Sequence, residues 1–111
     1  MGAGLVFKKR REKIWKEVRG SKTAKQMERH LKGVANHWRI AILFLIANEN
    51  GISVDGIAEN LQGNFKTISE HIRRLTEAGL VNKKYKGATV MHSLSPYGRV
   101  FIKFLTEFSN S

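Results

Sequence analysis

Eight consecutive apolar residues at positions 40–47 constrain the fold of this chain more than any other feature. They follow Asn36, a residue type that often caps a helix, and they precede Asn50 and Gly51, which are typical of a helix end. A helix over residues 37–48 would be apolar on nearly every side, and such a helix belongs in the middle of a fold. The sequence therefore predicts one core around this helix, in a chain of 111 residues that suffices for a single domain.

Helix caps and glycine stops divide the rest of the chain into short elements. Apolar periodicity predicts helices at residues 5–19, 23–32, 54–61 and 65–78, two strand-like runs at 80–85 and 89–94, and a last helix beginning at Pro96. The helices at 54–61 and 65–78 flank a Gln62-Gly63 turn, which indicates a helix-turn-helix.

The order of these elements defines the fold class. We predict a mainly α fold with a small β-hairpin wing (α+β), a winged helix-turn-helix with an extra N-terminal helix and a C-terminal helix. We expect a basic N-terminal helical extension over residues 1–22 and the winged helix-turn-helix domain over residues 23–111.

The charge of the chain indicates a polyanionic partner. Lys and Arg number 20 against 9 acidic residues, a net charge of +11, and residues 1–33 alone carry +8. The sequence has no Cys, which excludes a disulfide scaffold, thiolate chemistry and a cysteine-ligated metal. No pattern of a signal peptide or a membrane span is evident, so we expect a soluble, cytoplasmic, nucleoid-associated protein without a cofactor.

The helix predicted at residues 65–78 has the composition of a DNA-recognition helix. Its inner stripe is Ile68, Ile72 and Leu75, and a recognition helix needs such an apolar face together with a polar face that enters the major groove. A solvated face of an ordinary amphipathic helix would look similar, but the hairpin and the charge favour DNA. The DNA-contacting residues predicted here are Asn64, Lys66, Thr67, Ser69, Glu70, Arg73 and Arg74.

Two further basic segments are candidate DNA contacts. The hairpin tip suits a minor groove or the phosphate backbone, through Lys83, Lys84, Lys86 and the small Gly87. The tetrad Lys8, Lys9, Arg10 and Arg11 is a candidate backbone-binding arm, although the same pattern also fits a solvated helix face.

Several segments resemble the ArsR-type bacterial and archaeal repressors. The resemblance lies in ANHWRIAIL at residues 35–43, ISV at 52–54, TISEHI at 67–72 and EAGLV at 77–81, and it extends over about residues 31–94. The segment after the wing, SPYGR at 95–99, is more similar to MarR- or PadR-type regulators. The resemblance implies a winged helix-turn-helix regulator that binds DNA as a homodimer.

The metal sites known in ArsR-type sensors have no counterpart in this sequence. Their cysteine motif is missing from residues 54–61, and the last helix offers Glu107 but no His or Asp. The four histidines, His30, His37, His71 and His92, lack the spacing of metal ligands, so no metal site is predicted.

The last helix carries more aromatic surface than one exposed face accommodates. A homodimer would bury it, although packing against its own domain is the alternative. The predicted dimer interface comprises Phe7, Ile14, Trp15, Val18, Tyr97, Phe101, Phe104, Leu105 and Phe108.

These features together predict a sequence-specific, double-stranded DNA-binding transcriptional regulator, a dimeric repressor. The alternatives are a nonspecific or architectural DNA-binding protein and a winged helix that contacts another protein. An enzyme is the least favoured class, because the sequence shows no nucleophile–base motif, phosphate-binding loop or metal cluster.

Overall fold

The computed structural model describes residues 2–18 and 20–111. The elements of these residues are, in chain order, α1 (Gly2–Val18), α2 (Ala24–Val34), α3 (His37–Asn48), α4 (Val54–Leu61), α5 (Phe65–Glu77), β1 (Val81–Lys86), β2 (Thr89–Leu94) and α6 (Pro96–Ser109). This is the predicted order of a winged helix-turn-helix with an added helix at each end, and the predicted fold class is confirmed.

The central helix is α3, as its apolar run predicts. Ile42, Leu43 and Ile46 are fully buried, and α2, α4, α5, β2 and α6 all pack against α3. The rest of the buried apolar core consists of Val34, Ile57, Ile68, Ile72, Leu75, Ala78, Leu80 and Val81. The core thus lies between α3 and the helix-turn-helix, and it fixes the orientation of α5.

Short polar side chains begin the helices at the predicted positions. The Asn36 side chain accepts hydrogen bonds from the amides of Trp38 and Arg39, and the Ser53 side chain accepts one from Gly56. Ser95 caps α6 by accepting from Gly98, at 3.0 Å. Such caps satisfy backbone amides that would otherwise lack partners, which is why local sequence locates these helix starts well.

The hairpin is anchored to the helix-turn-helix. β1 and β2 are antiparallel, with Val81 opposite Leu94 and Lys86 opposite Thr89. The turn between them is Gly87-Ala88, one residue shorter than the predicted tip, with Gly87 at φ +63°. Ile52, in the loop before α4, forms an antiparallel bridge with His92, whose amide donates to the Ile52 carbonyl at 3.0 Å.

α1 begins at Gly2 rather than at the predicted residue 5, and it ends at Val18. Its side chains from Lys8 to Val18 are exposed. The side chain of Phe7, predicted at a dimer interface, and Arg19, predicted to end this helix, lie outside the described residues.

Within the described part of the chain, no helix has the length and hydropathy needed to cross a membrane.

Candidate nucleic-acid interface

The two faces of α5 differ strongly in their polarity and in their exposure to solvent. Ile68, Ile72 and Leu75 are at most 1% exposed and attach the helix to the core, as predicted. The predicted DNA-contacting side chains lie on the other side: Asn64, Lys66, Thr67, Arg73 and Arg74 are exposed, and Ser69 and Glu70 are half-buried. An amphipathic helix held this way presents its polar face to solvent along its whole length.

The N-terminus of α5 is the part of the helix that a major groove would receive first. Asn64 caps it, because its Oδ1 accepts from the amides of Lys66 and Thr67 at 3.0 and 3.2 Å. The cap occupies this oxygen, so the Nδ2 group is the part of Asn64 left to face a ligand. The neighbouring Phe65 is 55% exposed, and it was not among the residues predicted to contact DNA.

The arginines of α5 are held by carboxylates of the same helix. Arg73 donates from Nε to Glu70 Oε2 at 3.0 Å and from Nη2 to Glu70 Oε1, and its Nη1 donates to Glu77. Arg74 Nε lies 3.4 Å from Glu70 Oε1. The hydrogen bonds from Arg73 lower the pKa of Glu70, and those carboxylates raise the pKa of Arg73.

The wing places its lysines in solvent beside this helix. Lys83, Lys84, Lys86 and Gly87 are all exposed, and the three lysines form no ion pair with described residues. The wing tip lies near the start of α5, because residues 88–90 share a surface depression with Phe65 and with Ser53 at the start of α4. Tyr85, between two of the lysines, is 71% exposed and was also missed.

Hydrogen bonds from α2 hold the C-terminal end of α5. Arg29 Nη1 donates to the carbonyl of Glu77 at 2.7 Å, and the buried His30 donates from Nδ1 to the carbonyl of Ala78. Close packing adds to this, because a Cβ on Gly33 would lie 2.1 Å from the Cβ of Ala78. The position of α5 therefore depends on α2 as well as on the core.

Arg39 connects α3 to both α2 and α5. Its Nε donates to the carbonyl of Gly33 at 2.7 Å, and its Nη1 donates to His71 Nδ1 at 3.2 Å. Burial lowers the pKa of His71, and the positive charge of Arg39 lowers it further. The neutral His71 can accept this hydrogen bond, whereas a protonated ring could not.

His92 anchors the wing from the inside. It is fully buried, and its Nδ1 donates to the carbonyl of Ile52 at 2.8 Å, while Nε2 has no hydrogen-bond partner among the described residues. Burial lowers the pKa of His92, since the charged ring would be costly there. His30 and His92 are thus packing histidines, and the residues that the structure describes contain no group of three or more metal-ligating side chains.

The basic tetrad of α1 is exposed as a continuous segment. All four side chains of the tetrad, Lys8, Lys9, Arg10 and Arg11, face solvent. The one ion pair described within α1 joins Lys13 to Glu17 at 4.0 Å.

The apolar side chains of α1 that were predicted at the dimer interface are also exposed. Ile14 is 55% exposed and Trp15 is 53% exposed, and Trp15 borders a depression at the start of α2.

A second apolar surface lies on α2 and α6. Tyr97, Phe104 and Phe108 are between 44% and 66% exposed, and Phe104 stacks on Phe108 with ring centroids 5.6 Å apart. Phe101 and Leu105 are half-buried and pack against the core. A cavity of about 260 Å³ opens between α2 and α6, beside Leu31, Tyr97 and Val100. We call the exposed apolar side chains Leu31, Tyr97, Val100, Phe104 and Phe108 the α2–α6 face.

Residues 37–83, from the start of α3 to the third residue of β1, match the sequence model of the bacterial regulatory protein arsR family. The matched segment contains α3, the complete helix-turn-helix and the first part of the wing. Over this segment the chain is similar to the arsR family, and its fold is a winged helix-turn-helix. The matched family is one of bacterial regulatory proteins, and HlyU, a relative with a similar sequence, is a transcriptional activator.

HlyU of Vibrio cholerae is similar to this chain in both sequence and structure. The transcriptional activator HlyU of Vibrio cholerae is 34% identical over 65 residues, a segment that spans 59% of this chain and 59% of that protein. The structure of HlyU from Vibrio cholerae N16961 superposes with a TM-score of 0.71 at 27% identity, over 79% of this chain and 96% of that one.

A second solved structure is described as a homodimer. It is the winged helix-turn-helix DNA-binding domain Mb0332 from Mycobacterium bovis, a possible ArsR-family regulator, with a TM-score of 0.69 and 26% identity. The alignment covers 77% of this chain and 80% of that one. Each of the two alignments therefore leaves about a fifth of the present chain unmatched.

Proposed function

We propose that this protein is a sequence-specific, double-stranded DNA-binding transcriptional regulator. The observation that supports this most is the exposed polar face of α5, opposite its buried stripe and flanked by a wing with three exposed lysines. In this proposal α5 enters the major groove through Asn64, Lys66, Thr67 and Ser69 near its start, with Glu70, Arg73 and Arg74 following. The wing, through Lys83, Lys84, Lys86 and Gly87, contacts the minor groove and the backbone.

The proposal includes a homodimer formed through the α2–α6 face. Apolar side chains this exposed and this close together mark an interaction surface on most proteins. The homodimeric relative from Mycobacterium bovis supports a second copy as the partner. Phe101, Leu105, Ile14, Trp15 and Val18 border the interface in this proposal, and a two-fold dimer would contact half-sites about 10 bp apart or a multiple of that spacing.

The finer roles follow from position and charge. We assign residues 1–22 to a basic extension and residues 23–111 to the winged domain, and we propose that Lys8, Lys9, Arg10 and Arg11 bind backbone phosphates outside the winged-helix footprint.

Regulation would be repression, because a dimer on its operator blocks other proteins from that DNA. HlyU bears the name of an activator, so a reporter assay decides the direction.

Two single variants test the DNA-binding proposal. Arg73→Ala is expected to lower affinity for the preferred site and to relax base preference, because Arg73 lies on the exposed face of α5. Lys86→Ala is expected to weaken binding to every duplex about equally, because a wing lysine contacts phosphate. Both are measured by titration of a preferred and a scrambled duplex, and wild-type affinity of both variants for both duplexes would exclude the proposal.

A nonspecific DNA-binding protein is the second candidate, favoured by the exposed tetrad of α1. It would bind the two duplexes with similar affinity, whereas a regulator should prefer its operator by at least ~10³-fold.

A further inference from the structure

The recognition face of α5 has almost no net charge, although the protein as a whole carries +11. The helix contains three cations and two carboxylates, and both carboxylates are engaged by Arg73. The wing next to it has three lysines that form no ion pair with described residues. Of these two elements, the wing therefore attracts phosphate more strongly, whereas the arginines of α5 are held by carboxylates of their own helix.

That constraint centres on Glu70. Both of its oxygens accept from Arg73, through Nε and Nη2, and one of them also lies 3.4 Å from Arg74 Nε. A guanidinium bound through this pair of donors has a defined plane and direction. Glu70 is half-buried at the centre of the helix, where it is flanked by the exposed arginines that it holds.

The geometry also leaves Arg73 able to contact a base. A guanidinium has five N–H donors, and three of them donate to Glu70 and Glu77. Two donors remain, which is the number that a bidentate contact with guanine O6 and N7 requires. Glu70, by contrast, already accepts from Arg73 at both of its oxygens.

We propose that Glu70 is a specificity-determining residue, which acts by orienting Arg73 and by offsetting its attraction to phosphate. This inference rests on the proposed function as a sequence-specific DNA-binding protein. Without the Glu70 carboxylate, Arg73 would be held by Glu77 alone and would turn more easily toward the nearest phosphate, a contact that carries no sequence information. The expected result is stronger binding to random DNA together with weaker discrimination.

Glu70→Gln tests this with the size of the side chain kept. Affinities for the selected duplex and for a scrambled duplex are measured at several salt concentrations, and their ratio is the specificity. We expect the ratio to fall by at least about fivefold, the lower end of what a bidentate arginine–guanine contact contributes. Affinity for the scrambled duplex should stay equal or rise.

Glu28→Gln is the matched control. It removes the same charge and also breaks an ion pair within one helix, because Glu28 lies 3.1 Å from Lys32 on α2. We expect its specificity ratio to stay within twofold of the wild type. Arg73→Lys is the second variant, since it keeps the charge but loses the paired donors, and it should lower the ratio as Glu70→Gln does.

A double variant separates positioning from a structural role. If Glu70 acts through Arg73, then Glu70→Gln should change the ratio little in an Arg73→Ala background. Full additivity of the two losses, or an unchanged ratio in Glu70→Gln, would overturn the proposal. So would an equal loss of affinity for both duplexes. A wild-type protein that prefers no sequence would refute the proposed function itself, and the assignment of Glu70 would fail with it.

Discussion

The three exposed lysines of the wing lead to a quantitative prediction about salt. Lys83, Lys84 and Lys86 form no ion pair with described residues, so each can neutralise a phosphate without first breaking an internal contact. Each phosphate contact adds about 0.9 to the negative slope of log affinity against log salt. Replacing all three with alanine should therefore lower the slope by up to about 2.7 per protomer, and by about 5 in a dimer on two half-sites.

This change in slope is large enough to measure directly. Between 50 and 200 mM salt the triple variant should lose about a thousandfold less affinity than the wild type, although its affinity is lower at every salt concentration. The assay is fluorescence anisotropy with a labelled duplex at four salt concentrations. The matched control replaces three exposed lysines of α2 and α6 that are not among the predicted DNA contacts, Lys25, Lys32 and Lys103.

The slope of log affinity against log salt for the control triple variant should differ from the wild-type slope by no more than about 0.9, the value for one phosphate contact. A wild-type slope in the wing variant would show that the wing does not bind phosphate, and an equal fall in the control would show that the effect is not specific to the wing. The excess charge would then act through another surface.

Further predictions concern assembly, packing and pH. Phe104→Glu should convert dimers to monomers in sedimentation velocity, whereas Lys103→Glu on the same helix should leave the dimer intact. A Phe104→Glu variant that is still a dimer would exclude the α2–α6 face as the interface. Gly98→Ala should lower the free energy of unfolding in urea by about 1–2 kcal/mol, because its Cβ would lie 2.2 Å from the Leu80 carbonyl oxygen; an equally stable variant would contradict this packing. The free energy of unfolding should decrease as the pH falls below about 6.5, because burial lowers the pKa of His92 and protons then bind preferentially to the unfolded chain. His92→Gln should make this decrease shallower, and a variant with the pH dependence of the wild type would contradict the prediction.

Local signals in the sequence predict most of the fold, because the helices begin at caps and the core residues recur at helical spacing. Asn36, Ser53 and Asn64 begin α3, α4 and α5, and the apolar run of α3 places it at the centre. The winged domain could be predicted for the same reason, since its elements are short and sharply bounded.

The contacts that position α5 could not be predicted in this way. His30 donates to the carbonyl of Ala78, and Gly33 packs against the same residue. Ala78 is more than 40 residues away in sequence, so the periodicity within one helix does not predict these contacts. Phe65 and Tyr85 were missed because their exposure depends on the tertiary arrangement. The pairing of Glu70 with Arg73 has the helical i, i+3 spacing, but Lys66 and Arg74 also lie within four residues of Glu70, so spacing alone does not identify its partner.

The most direct test of the proposed function is the selection of bound fragments from random duplex DNA, at two salt concentrations, with the full chain. A sequence-specific dimer should enrich a pseudo-palindrome whose half-sites lie about 10 bp apart or a multiple of that spacing. The enriched duplex should bind at least ~10³-fold more tightly than random DNA. Recovery of fragments without any common sequence, at both salt concentrations, would contradict the proposed function.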